Sequence, residues 1–129
     1  MNREVFKGTW QQTRTFSPAV KTRGGDHVWL AGVGAVEDEE GNSLAGDFDG
    51  QVRATFEAIR KTLARAGGTL DDIVTMTVFV TDMKNGTRFT QLRGEHFTKG
   101  FPASALIGVR ALARPEMMVE VQAIAVVDA

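Results

Sequence analysis

The most regular pattern of apolar and polar positions lies between Asp47 and Ala66. Its apolar residues recur at intervals of three and four positions: Val52, Phe56, Ile59 and Leu63. Asp47 or Asp49 can cap the start of this segment, and Gly67-Gly68 suits the left-handed conformation that ends a helix. The pattern predicts an amphipathic helix that buries this stripe.

Two further segments have a clear local pattern. Ile73–Thr81 is rich in β-branched residues and predicts a strand. Arg88–Phe97 predicts a shorter helix, with an inner face formed by Phe89, Leu92, His96 and Phe97. Arg93 of this helix is interpreted as an exposed residue near an interface, and Arg14, earlier in the chain, as a spare cation.

Three extended segments precede the first helix. Glu4–Lys7 is interpreted as a short edge strand, and Phe16–Val20 begins a second extended piece. His27–Gly34 is apolar on both faces, which predicts a strand buried between two layers. Trp29 and Phe16 are interpreted as packing residues, although Phe16 also suits the wall of a pocket.

The last quarter of the chain, Phe101–Val127, is predicted to form a hairpin, with a short connection that contains Arg114-Pro115. Successive side chains of a strand point to opposite faces, so alternate positions share a face. The odd positions are apolar and are expected to face the core: Ala105, Ile107, Val109, Val119, Val121, Ala123 and Ala125.

Polar residues collect on the other face of this predicted hairpin: Ser104, Arg110, Glu120 and Gln122. In the expected register Arg110 lies opposite Glu120. Gly108 then lies opposite Gln122 and leaves room beside it. This arrangement suits either a ligand site or an exposed sheet face with one cross-strand ion pair.

The order of the elements predicts a mixed β-sheet with two helices on one face, an α+β layer arrangement. The 129 residues are enough for one core, so residues 1–129 are expected to form a single domain. The second sheet face would have no helical cover. A small domain commonly covers such a face by oligomerising.

Composition excludes several kinds of chemistry. The formal net charge of −1 gives no support for nucleic acid or an anionic membrane as a partner. The absence of cysteine excludes disulfides and thiol catalysis, and the two histidines, His27 and His96, are too far apart in sequence to suggest a metal centre. The N-terminus lacks an apolar leader, and no segment is long enough to span a bilayer. The protein is therefore expected to be cytoplasmic and to need no cofactor or metal.

Several short motifs, in this order and spacing, resemble the Rid family, also called the YjgF/UK114 family, from end to end. They are FSPAV at 16–20, LAG at 30–32, MTVFVTD at 76–82, RGEHF at 93–97, FPA at 101–103, VEV at 119–121 and AIA at 123–125. The resemblance implies a chorismate-mutase-like α+β fold and a homotrimer with ligand clefts between neighbouring subunits.

The resemblance also implies an activity, because the best-known Rid proteins hydrolyse enamines or imines of amino acids to a keto acid and ammonia. Glu120 matches the family residue that positions or activates water. The family motif continues Phe-Pro-Ala with an arginine that grips the substrate carboxylate, whereas this chain has Ser104 there. A hydroxyl cannot supply the bidentate grip of a guanidinium. Phe16 and Thr90 stand where those members often carry tyrosine and asparagine.

The candidate catalytic residue is therefore Glu120, and the candidate substrate-binding residues are Ser104, Arg110, Phe16, Gly32 and Thr90. Ser104 is expected to line the pocket. Arg110 would bind an anionic substrate, neutralise Glu120, or do both. Gly32 would let the backbone approach a ligand or only ease strand packing.

A narrower similarity is to the 2-aminomuconate deaminases, carried by PASALI at 102–107, ARP at 113–115 and VEVQ at 119–122. The leading hypothesis is a deaminase that hydrolyses an enamine or imine acid, such as 2-aminomuconate or a related dicarboxylate. The alternative is a catalytically inactive Rid paralogue that binds a small acid metabolite. Ribonuclease activity, a third possibility, is disfavoured by the balanced charge and the lack of a basic stripe.

Overall fold

The computed structural model describes residues 2–128, and this part of the chain contains six strands and two α-helices. They are β1 (Asn2–Phe6), β2 (Ala19–Arg23), β3 (Asp26–Trp29), α1 (Phe48–Arg65), β4 (Ile73–Val80), α2 (Gly86–Gly94), β5 (Ala103–Gly108) and β6 (Val119–Val127). β1 and β2 form a separate antiparallel pair. The other strands form a mixed sheet in the order β3-β6-β4-β5.

The predicted hairpin at the end of the chain is wrong, because β4 lies between β5 and β6. β5 is parallel to β4, and β6 is antiparallel to it. The physical reason is α2, which provides the crossover that a parallel pair requires. Arg110 therefore does not lie opposite Glu120. It is exposed in the connection between β5 and β6, while Glu120 pairs with Phe79 of β4.

Both helices pack on one face of the four-stranded sheet, which we call the covered face. The predicted stripe of α1 is buried there against Met76, Val78 and Val80 of β4 and the odd positions of β6. Asp47 caps α1 by accepting a hydrogen bond from the Gly50 N–H at 2.9 Å. Gly67 follows the helix with φ = +82°, a value that favours glycine. The predicted α+β arrangement with two helices on one face is confirmed.

The opposite side of the sheet, which we call the open face, has no helix of residues 2–128 packed on it. It is formed by Trp29, Thr75, Thr77, Phe79, Ala105, Ile107, Glu120, Gln122 and Ile124. The expectation that Ala105 and Ile107 face the core is wrong, since the covered face takes Ser104 and Leu106 instead.

The predicted strand at His27–Gly34 is shorter than expected and is not buried between two layers. β3 is an edge strand, and its Trp29 pairs with Ile124 on the open face. Trp29 is 73% exposed, so within a single chain it is not the packing residue that the sequence predicts. Within residues 2–128 no helix is long and apolar enough to cross a membrane.

Candidate functional site

Three of the residues singled out from the sequence line one small cavity beside β5. Phe16, Thr90 and Ser104 meet there, although they come from three separate parts of the chain. The cavity has a volume of about 200 Å³ and is lined by Trp10, Arg14, Phe16, Thr90, Arg93, Ser104 and Leu106. We call it the Arg93 cavity.

A short 3₁₀ turn, Trp10–Arg14, forms the outer rim of the Arg93 cavity. Trp10 is 60% exposed and meets Phe16 edge to face, with ring centroids 5.6 Å apart. The Ser17 N–H donates to the Pro102 carbonyl at 3.0 Å, which holds this segment alongside the start of β5. Phe16 is thereby fixed as one wall of the cavity.

Arg93 of α2 is the main feature of this cavity that the sequence interpretation missed. It is only 2% exposed, so its interpretation as an exposed residue is wrong. It follows the buried Phe89 by four positions, which places the two side chains on the same side of the helix. A cation within an apolar stripe was the available signal.

Four hydrogen bonds fix the Arg93 guanidinium. Nη1 donates to Ser104 Oγ at 2.6 Å and to Met76 Sδ at 3.7 Å. Nη2 donates to the Arg14 carbonyl at 3.0 Å, and Nε donates to Thr15 Oγ1 at 3.2 Å. Rings of Phe16 and Phe89 lie 5.8 Å and 5.1 Å from its central carbon. The group is thus held rigidly against the cavity wall.

No carboxylate of residues 2–128 pairs with this buried cation. Burial, with a smaller contribution from the nearby Arg14 charge, lowers the pKa of Arg93 to about 10. The side chain is still protonated at neutral pH. A buried, charged group without a counter-ion is costly, and an anionic ligand would offset that cost.

Thr15 accepts a hydrogen bond from Arg93 while its own backbone is in a strained conformation. Its φ of 60° and ψ of 38° are in the left-handed region, which a β-branched residue seldom adopts. In this conformation Thr15 Oγ1 donates to the Thr90 carbonyl at 2.6 Å and accepts from Arg93 Nε. Strain of this kind is concentrated at functional sites.

Glu120 and Gly32 form a second group, on the open face of the sheet. A Cβ atom built on Gly32 would lie 2.8 Å from Glu120 Oε2, so the absence of a side chain at position 32 allows this close approach. Glu120 lies on the opposite face of the sheet from Ser104. A single chain therefore does not bring Glu120 into the Arg93 cavity.

The open face also carries a depression of about 300 Å³. Its lining residues are Trp29, Leu30, Thr75, Met76, Thr77, Gln122, Ala123 and Ile124. Arg110 lines neither this depression nor the Arg93 cavity. Across residues 2–128, no three histidine, aspartate or glutamate side chains are grouped so that they could hold a metal ion.

Fold and cavity together describe a small α+β domain with a cationic recess suited to a small ligand. The family model described as Endoribonuclease L-PSP matches residues 9–127, and the chain belongs to this family. Solved relatives carry the names Rid and YjgF/YER057c/UK114, so the resemblance to the Rid family is confirmed.

Individual relatives are distant in sequence but close in fold. A RutC family protein of Pyrococcus abyssi is 29% identical over 110 residues, which is 85% of this chain and 84% of the relative. A Rid family protein of Yersinia pestis, YyfB, is 27% identical with a TM-score of 0.85 over 98% of this chain and 100% of that protein. RidA from an Antarctic Psychrobacter is 28% identical with a TM-score of 0.72, and covers 88% of this chain and 89% of its own.

Proposed function

We propose that this protein is a cofactor-free deaminase that hydrolyses an enamine or imine acid, of the 2-aminomuconate type, to the keto acid and ammonia. The observation that carries the proposal is the Arg93 cavity, where Phe16, Thr90 and Ser104 surround a buried guanidinium that has no carboxylate partner among residues 2–128. A recess of this kind suits the carboxylate of a small acid. Membership of the Rid family supports the same reaction class.

Glu120 is the proposed acid–base group. Hydrolysis of an imine requires water to add to the carbon of the C=N bond, after which the C–N bond breaks and ammonia leaves. Glu120 would take a proton from the attacking water and return it to the leaving nitrogen. The Glu120 carboxylate lies beside Gly32, which has no side chain. A small substrate could therefore approach the carboxylate from this side.

The active form is proposed to be a homotrimer, in which the open face of one chain adjoins the Arg93 cavity of its neighbour. The support is geometric, since Glu120 and the cavity lie on opposite faces of one sheet. Trp29 and Ile107 on the open face are 73% and 41% exposed, and such an apolar surface suits contact with a second chain.

Ammonia release from freshly generated 2-aminomuconate, and from a panel of imines made from amino acids, tests this function. The purified protein should accelerate release well above the rate in buffer. No acceleration with any of these compounds would refute the proposal. Thermal stabilisation by keto acids or dicarboxylates without turnover would instead identify a binding protein.

A further inference from the structure

The Arg93 cavity contains more positive charge than one carboxylate can neutralise. Arg14 lines it together with Arg93, and no acidic residue is among its lining residues. We infer that Arg93 and Arg14 together select a dicarboxylate, with Arg93 binding one carboxylate and Arg14 the other. The inference rests on the proposed function, whose 2-aminomuconate-type substrate carries two carboxylates, and identifies the residue that binds each of them.

Arg93 is suited to the inner carboxylate. Its guanidinium has five N–H donors, and the four hydrogen bonds within the protein leave one of them, on Nη2, for a ligand. Ser104 Oγ accepts from Nη1, so the serine hydroxyl can donate its own hydrogen to the same carboxylate. A carboxylate bound here would receive one charge-assisted and one neutral hydrogen bond.

Arg14 is suited to the outer carboxylate. Its backbone carbonyl accepts a hydrogen bond from Arg93 Nη2, and Arg14 is a half-buried residue in the lining of the cavity. The two guanidinium groups are close enough for the Arg14 charge to lower the pKa of Arg93. This mutual repulsion is relieved by two negative charges more completely than by one.

The walls of the cavity favour a carbon skeleton over an inorganic dianion. Trp10, Phe16 and Leu106 supply apolar surface between the cationic groups. The volume of about 200 Å³ is below the roughly 300–1,000 Å³ typical of sites for drug-sized ligands. A short, flat, unsaturated dicarboxylate fits this size and could pack against the aromatic rings.

Isothermal titration calorimetry with two matched, unreactive acids tests the inference. Muconate carries a carboxylate at each end, whereas sorbate has the same unsaturated carbon chain with a methyl group at one end. The wild-type protein should bind muconate about tenfold or more tightly than sorbate, because the second charge-assisted hydrogen bond is lost in sorbate. Sulfate serves as the inorganic dianion and should bind more weakly than muconate.

Two variants assign the carboxylates. Arg14→Gln should reduce muconate affinity to that of sorbate while leaving sorbate affinity unchanged. Arg93→Gln should weaken both acids. Should it fail to fold, Ser104→Ala provides the second variant and should also weaken both. Arg60→Gln removes a cation from the outer side of α1, where Arg60 pairs with Glu57, and should change neither affinity.

Equal affinity of the wild-type protein for muconate and sorbate would overturn the inference, as would an equal loss of both affinities in Arg14→Gln. Sulfate binding as tight as that of muconate would assign the cavity to inorganic anions instead. These outcomes are separate from turnover. A preference for muconate without ammonia release would refute only the proposed deaminase activity. Ammonia release without that preference would refute only the binding of two carboxylates by Arg93 and Arg14.

Discussion

The two faces of the four-stranded sheet differ in how completely one chain buries them. On the covered face Met76, Val78 and Val80 are 2%, 0% and 0% exposed. On the open face Trp29 is 73% exposed and Ile107 is 41% exposed. The chain completes its own core on the first face, while the second presents apolar and polar groups that only a ligand or another chain can cover. Structural residues are thus concentrated on one face, and Glu120 lies on the other.

The largest expected effect is on the covered face. Phe56 is fully buried and stacks on His96 with ring centroids 4.5 Å apart. Phe56→Ala should lower the free energy of unfolding by about 3–5 kcal/mol, because it leaves a cavity in the core. Urea denaturation at one fixed protein concentration measures this loss. Phe6→Ala, at a residue 43% exposed on β1, is the control and should cost far less. Equal losses of unfolding free energy in the two variants would contradict the assignment of the core to the covered face.

The second prediction concerns the chemistry assigned to the open face. Glu120→Gln keeps the shape of the side chain but removes the base, so turnover should fall about a hundredfold or more. The free energy of unfolding and the oligomeric state should stay close to those of the wild type. Glu116→Gln is the matched control, since Glu116 is paired with Arg114 away from the Arg93 cavity. Unchanged turnover in Glu120→Gln would remove Glu120 from the mechanism.

A third change tests whether the open face is an interface. Trp29 contributes little to the fold of its own chain, where it stacks on His27 at 5.8 Å. Trp29→Ser should therefore preserve the circular dichroism spectrum and shift the assembly towards smaller species. Light scattering at micromolar concentration measures the shift, with Phe6→Ser as the control. A wild-type protein that is a stable monomer at this concentration would refute the proposed trimer.

The smallest effect is the pH dependence of the covered face. His96 is half-buried against Phe56, and desolvation lowers its pKa below the ordinary value. The nearby carboxylates of Glu95 and Glu57 oppose this shift, and Arg53 adds to it. The unfolded chain then binds a proton at His96 more readily than the folded protein does. Stability should accordingly fall as the pH drops through about 6.5 and below.

His96→Phe keeps an aromatic ring against Phe56 and removes the titrating group. Between pH 7 and pH 5 the free energy of unfolding should fall more in the wild-type protein than in this variant. The difference between the two proteins should be only a fraction of the loss caused by Phe56→Ala. Urea denaturation of both proteins at the two pH values provides the comparison. An identical pH dependence would show that His96 does not contribute.

The sequence predicted those features that depend on neighbouring residues. The stripe of α1 follows from local periodicity and the strand at β4 from its β-branched residues, and the structure has both. The predicted hairpin is wrong because β5 and β6 each pair with β4. The alternation of side chains within one strand does not determine which other strand it pairs with.

The candidate site, like the fold, was predictable only where it depends on residues that are close in sequence. The resemblance to the Rid family identifies Phe16, Thr90 and Ser104 as candidates, but the sequence interpretation places Arg93 on the exposed side of its helix. The environment of Arg93 depends on Ser104 in β5, 11 positions later, and on Thr15, 78 positions earlier. The separation of Glu120 from Ser104 likewise depends on the order of strands across the sheet. Local pattern therefore identified candidate residues but not which of them meet.

The central claim is that the Arg93 cavity of one chain acts with Glu120 of a neighbouring chain. Subunit complementation tests it most directly, with Arg93→Gln and Glu120→Gln as two separately inactive variants. Ser104→Leu, which would fill the cavity, replaces the first variant if that protein does not fold. The two chains are given different affinity tags and assembled together, and mixed oligomers are isolated through both tags. Ammonia release is then measured on an imine acid that the wild-type protein hydrolyses.

In a closed trimer that contains both chains, one site in three, or about a third of the sites, combines an intact cavity with an intact Glu120. The account predicts recovery of activity on that scale from two inactive parents. Mixed oligomers that are no more active than either variant alone would contradict it.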